Sequence, residues 1–138
     1  MSKNPAAFEP VLASSLWLLA GRLSKLGQNS DATIAYEEAL RMHRRLIANY
    51  PAAYTHELAG VLYSYARHLR QGRQWSKALT CIAESVDMYR DLALKYPLKY
   101  SRRLKKALLL LAKCFECIAD AAEAQKARDE AGLISVGP

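Results

Sequence analysis

The chain repeats itself with a period of 46 residues, and that period limits what it can fold into. With Pro5, Pro51 and Pro97 set in one column, Phe8, Tyr54 and Tyr100 coincide, as do Leu12, Leu58 and Leu104. Leu16, Leu62 and Leu108 follow, then Ala20, Ala66 and Ala112, then Leu23, Leu69 and Phe115. Steps of four, four, four and three keep all five columns on one side of an α-helix, the side a helix buries. The first two copies are identical at 16 of 46 positions without a gap, against about three expected by chance for such a composition. A unit this short cannot cover its own apolar face, so the copies must stack. The chain reads as one domain of three copies, about 5–50, 51–96 and 97–133, with a short tail at 134–138.

Each copy has a second helical half. "DATIAYEEALRMHRRLIANY" carries Ala32, Ala35, Ala39 and Leu46, and "SKALTCIAESVDMYRDLALKY" carries Ala78, Cys81, Ser85 and Leu92 at the same columns; Ala124 and Ala131 hold them in the third copy. Small side chains at such spacing let two helices approach closely. "LGQNSD" and "QGRQW" bring Gly27 and Gly72 to the turn between the halves, with Ala119 in that place in the third copy, and glycine tolerates the left-handed backbone of a helix end. Pro51 and Pro97 close the second helix. The expected structure is all-α: six helices near 9–26, 30–50, 54–71, 75–96, 98–118 and 121–132. A composition half hydrophobic, with only 6 Gly and 5 Pro, agrees.

"L-x-x-L/Y-A" at 16–20 and 62–66, a glycine seven or six residues on, Ala32 or Ala78, a small residue at 39 or 85 and a closing proline resemble the tetratricopeptide repeat, in a form longer than its usual ~34 residues. The lead-in "NPAAF/YPAAY" is similar to long-period repeats found in arrays within large multidomain signalling proteins. The resemblance covers residues 5 to about 133. It implies a right-handed α-α superhelix of three antiparallel hairpins, a scaffold whose groove is lined by the first helix of each repeat. Such families usually finish with a polar capping helix, which is not found here. The expectation is a piece of a longer array, or a last helix covered by a partner or a second copy, giving a homo-oligomer.

Chemical motifs are weak. Cys114 and Cys117 form a CxxC in mid-helix with no second pair, and Cys81 falls in a packing column, so all three are expected to be packing thiols in a reducing compartment. His43, His56 and His68 share no column and are expected at the surface or at helix ends. Glu37 and Glu38 are adjacent on a helix, about 100° apart, and cannot bracket one bond. No glycine-rich phosphate loop is present. The chain is expected to be non-catalytic, with no cofactor and no metal. "MSKNPAAFEP" lacks the apolar stretch of a secretory signal and no run is long enough for a bilayer, so a cytoplasmic location with no membrane contact is expected.

One residue past the repeated leucine, Trp17, Tyr63 and Leu109 coincide; Gly21, Arg67 and Lys113 follow one turn later, then Ser24, Arg70 and Glu116. By the resemblance this stripe lines the groove, and apolar anchors beside charge are what an interface needs. The other reading puts Trp17 and Tyr63 in the core. A basic cluster at Lys99, Arg102, Arg103, Lys105, Lys106 and Lys113 adds charge, and the net charge is +7. The expected partner-binding residues are Trp17, Tyr63, Arg67, Arg70, Lys106, Leu109 and Lys113, for an acidic peptide or protein segment. The alternative partner is a nucleic acid.

Overall fold

The computed structural model describes residues 5–135, with side chains from Phe8 onward; Val136 to Pro138 of the expected tail lie outside the described residues. Six helices fill it: α1 Pro5–Lys25, α2 Asn29–Asn49, α3 Pro51–Gln71, α4 Trp75–Lys95, α5 Pro97–Cys117 and α6 Ala121–Gly132. The first five are 21 residues each and α6 is 12. No strand occurs among the described residues, and consecutive helices pack on one another as stacked hairpins. None of the helices is long and apolar enough to cross a membrane.

Two joints alternate along the chain. Between α2 and α3 a single residue, Tyr50, ends one helix and begins the next: its N–H donates to Leu46 O at 2.7 Å and its carbonyl accepts from Tyr54 N at 3.3 Å. Tyr96 does the same between α4 and α5, and both adopt an extended φ near −137° (−138° and −136°). The proline that follows forbids the helical region to its predecessor and is itself well placed at the first helical position. The lead-in is thus the first turn of a helix, and α1, α3 and α5 begin earlier than the 9, 54 and 98 expected from sequence.

The second joint is a Schellman turn, built three times in the same columns. Gln28 N donates to Leu23 O, Gln74 N to Leu69 O and Asp120 N to Phe115 O, each at 2.9 Å. The residue before each donor is left-handed: Gly27 at φ 81°, Arg73 at 63° and Ala119 at 62°. The expectation for Gly72 is therefore corrected; its φ is −84° and Arg73 carries the turn. A non-glycine residue there costs about 1–2 kcal/mol, offset by the two carbonyls the motif satisfies. Gln28, Gln74 and Asp120 also cap the next helix, accepting from Ala32, Ala78 and Ala124 at 3.0 Å.

These joints fold α1 on α2 and α3 on α4, and stack the hairpins through α2 on α3 and α4 on α5. Leu58, Leu62, Ala66 and Leu69 are buried, as are Tyr100, Leu104, Leu108 and Ala112. In the first copy only Ala20 follows fully; Phe8 and Leu12 are exposed, because their columns face the preceding hairpin's second helix in α3 and α5 and no described helix lies there on α1. Inside a hairpin the small-residue columns meet: Ser85 Oγ donates to Ala59 O at 2.8 Å, both fully buried. On the outer side Arg44 grips Glu84 with two hydrogen bonds of 2.8 and 2.9 Å, and 46 residues on Arg90 grips Glu130 at 2.9 and 2.7 Å. Each clasp ties the second helices of successive hairpins and keeps Glu84 and Glu130 below the usual carboxylate range.

Ala66 and Ala78 have no exposure and no room. Ala66→Leu or Ala78→Leu should lower the unfolding free energy by about 1–3 kcal/mol through overpacking, measured by urea denaturation.

Candidate ligand groove

Helices α1, α3 and α5 turn a common face outward, and three clefts run along it. The middle one, of about 280 Å³, lies between α3 and α5 and contains Tyr63, Arg67, Arg70, Lys106, Leu109 and Lys113. These are six of the seven residues named from sequence. A neighbouring cleft of about 400 Å³ shares Tyr63 and Lys106 with it and reaches back to Trp17. The third, of about 420 Å³, shares Arg67 and runs between α1 and α3 past Lys25. Of the basic cluster at the start of α5, Arg103 and Lys106 line the groove, whereas Arg102 and Lys105 line none of these three clefts.

Charge on this face is unspent. Among the described residues, Arg41, Arg44, Arg45, Lys77, Arg90, Lys126 and Arg128 form ion pairs with carboxylates, whereas Arg67, Arg70, Lys106 and Lys113 form none. Arg70 Nε is buried without a hydrogen-bond partner, a state that costs about 1–3 kcal/mol unless an acceptor arrives. Arg67 is held over the Tyr63 ring, 6.0 Å from its centre, and Arg103 over Tyr100 at 5.9 Å. Aromatic faces position both guanidiniums without neutralising them. Tyr89, at the floor, has its phenol pushed up to about 12, chiefly by burial.

Trp17 behaves differently from the other six. Its indole N–H donates to Ser64 Oγ at 3.1 Å, its ring meets His43 edge-on at 6.3 Å, and it lies over Gly60, where a Cβ would stand 2.5 Å from Trp17 Cη2. It borders the cleft while bolting α1 to α3. Tyr63 and Leu109 also remain partly open to solvent.

One histidine departs from the surface or helix-end position expected of it. His43 is fully buried in mid-α2, with Nδ1 against Ala39 O at 2.8 Å and Nε2 against Glu57 Oε1 at 3.1 Å. Ser14 Oγ donates to the same Glu57 oxygen at 3.1 Å, so one carboxylate ties α1, α2 and α3. The order rules out a nucleophilic triad, in which the imidazole stands between hydroxyl and acid. His68 is at a helix end, yet buried. Thr33 Oγ1 donates to Asn29 O and so accepts from His68 Nε2 at 2.8 Å, while Nδ1 faces Ser24 Oγ at 2.9 Å. Nε2 therefore carries a proton, and burial holds the ring's pKa below the usual histidine value. Neither site was visible in the sequence, because each pairs residues on different helices 14 to 44 positions apart.

The thiols are packing groups: burial pushes both Cys81 and Cys114 up to about 11, away from the thiolate that reactivity requires. Comparison of the chain with protein-family models, curated proteins and solved structures gave no match.

Two outcomes follow from this geometry. Gly60→Ala should displace the indole and cost about 1–3 kcal/mol by overpacking, more than the ~1 kcal/mol gained in helix propensity; chemical denaturation and a shift in tryptophan emission read it. For His68, the unfolded ring takes a proton near the usual 6.5 while the folded ring resists. The unfolded state then binds more protons, so stability falls as pH drops through about 6.5 and levels off below the folded value. Melting curves of wild type and His68→Gln should diverge between pH 7.5 and 5.5, with wild type losing more.

Proposed function

We propose that the protein is a non-catalytic, tetratricopeptide-like interaction module of the cytoplasm that holds an acidic protein segment along the face of α1, α3 and α5. One observation carries this reading: four cations without carboxylate partners converge on one cleft with Tyr63 and Leu109, while the arginines of the second helices, Arg41, Arg44, Arg45, Arg90 and Arg128, are all engaged by carboxylates. A carboxylate entering there would satisfy Arg70 Nε, and charge-assisted bonds to guanidinium are among the stronger ones. Partly open aromatic and aliphatic side chains beside them supply the apolar contact that hot spots need. The groove is long and open, suited to an extended segment.

Fluorescence anisotropy with acidic and basic peptides of equal length tests the proposal. Acidic peptides should bind and basic ones should not. Tyr63→Ala should cost about 2 kcal/mol or more of binding energy, while Arg67→Ala/Lys113→Ala should slow association and flatten its salt dependence without lowering the melting temperature. If a single-stranded oligonucleotide binds instead, with a steep salt dependence, the nucleic-acid reading replaces this one.

A further inference from the structure

Helix α1 presents a stripe that no other described residue covers. Phe8, Val11, Leu12, Leu18, Leu19 and Leu26 are between 48% and 71% exposed, and the exposed Ser15 and Arg22 complete the row. The columns at the centre of this stripe, those of Leu12, Ser15 and Leu19, are core in the other hairpins: Leu58, Val61 and Tyr65 in α3 and Leu104, Ala107 and Leu111 in α5 are buried, where α2 and α4 pack. The stripe therefore has the shape of a helix-docking face and is more apolar than its equivalent in α3, where Glu57, Ser64 and His68 stand at the columns of Val11, Leu18 and Arg22.

We propose that this face is a dimer interface, occupied by α1 of a second copy running antiparallel across a two-fold axis at Ser15. A two-fold contact needs a self-complementary patch, and this one is. Leu12 and Leu18 lie three residues either side of Ser15, Val11 and Leu19 four, and Phe8 and Arg22 seven. The axis sets leucine against leucine, valine against leucine, and the Arg22 guanidinium over the partner's Phe8 ring, a favourable cation–aromatic contact. Ser15, small, falls at the crossing, where helix axes must come close. The acid nearest that end, Glu9, is engaged by Arg45 at 3.3 Å, so no like charges face each other.

The rest of a second copy offers nothing better. Its α2 and α4 are seated on α3 and α5. Its α6 is 12 residues long and carries Arg128, held by Glu116, where α2 and α4 carry Tyr36 and Ile82. The expected homo-oligomer thus forms through the first helix and not the last. Fully covered, the exposed side chains would supply on the order of 600 Å² per copy, so the pair buries at most about 1,200 Å², at the lower bound of a stable interface.

Sedimentation equilibrium of the whole chain, from low micromolar to several hundred micromolar, tests this. The mass should rise from 15.4 kDa to twice that value and stop. Leu18→Glu, at an exposed position, should weaken dimerisation at least about tenfold, with an unchanged melting temperature at low micromolar concentration, where both proteins are monomeric. Ser15→Cys should form an intermolecular disulfide on oxidation that wild type, with its own three cysteines, does not. A chain that stays monomeric throughout, that grows past the dimer, or whose dimer survives Leu18→Glu overturns the proposal; so does a Ser15→Cys dimer that never cross-links.

Discussion

Everything in this structure depends on joints that leave the chain no freedom between helices. Tyr50 and Tyr96 serve as the last residue of one helix and the first of the next, and Gln28, Gln74 and Asp120 both close a Schellman turn and cap the following helix. With no slack at either joint, five helices of 21 residues repeat at a fixed interval, and any column is carried 46 positions on to the same place in the next hairpin. The Schellman bonds satisfy carbonyls at the C-terminal ends of α1, α3 and α5, and at the start of α6 the Asp120 side chain accepts from Glu123 N. The stack can then be held by small residues inside each hairpin and large ones between hairpins.

That regularity is why the fold was legible. Leucine and alanine columns announce helices, and proline announces where they meet, because proline acts on its own neighbours. The left-handed residue of the second copy was misread for the opposite reason. Glycine is the usual marker, but Arg73 and Ala119 take the same conformation because the hydrogen bonds of the turn hold them there, and hydrogen bonds between backbone atoms leave no trace in residue type. The exposed Phe8 and Leu12 show a second limit: a column states that a side chain wants cover, not that cover is present.

The groove was partly legible, since Tyr63, Arg67, Arg70, Lys106, Leu109 and Lys113 sit on columns that stacking must bring together. Trp17 shares the column of Tyr63, yet its setting is decided by Gly60 across the interface. The sequence signal was the mixed column of Ser14, Gly60 and Lys106, where a missing side chain makes room for the indole. The clasps were also signalled: Arg44 and Arg90 are identical between copies, and so are Glu38, Glu84 and Glu130. Reading Glu38 as solvated charge fits its own bond to Arg41 at 2.6 Å, but the column pairs across hairpins wherever an arginine stands one repeat earlier.

The clasps and the groove are two sides of one distribution of charge. Exposed pairs such as Arg44 with Glu84 add little to stability, on the order of 0–1 kcal/mol each, so their larger effect is to occupy carboxylates. Glu37, Glu84, Asp87, Glu116, Glu123 and Glu130 are all engaged by cations, and Glu57, the acid bordering the groove, is engaged by Ser14 and His43. The cations of α3 and α5 are left facing one another across one open cleft, where their fields add. A protein with a net charge of +7 could have spread that excess evenly. Here the repeat places most of the acids on the second helices and most of the unpaired cations on the first, which turns an overall charge into a directional one.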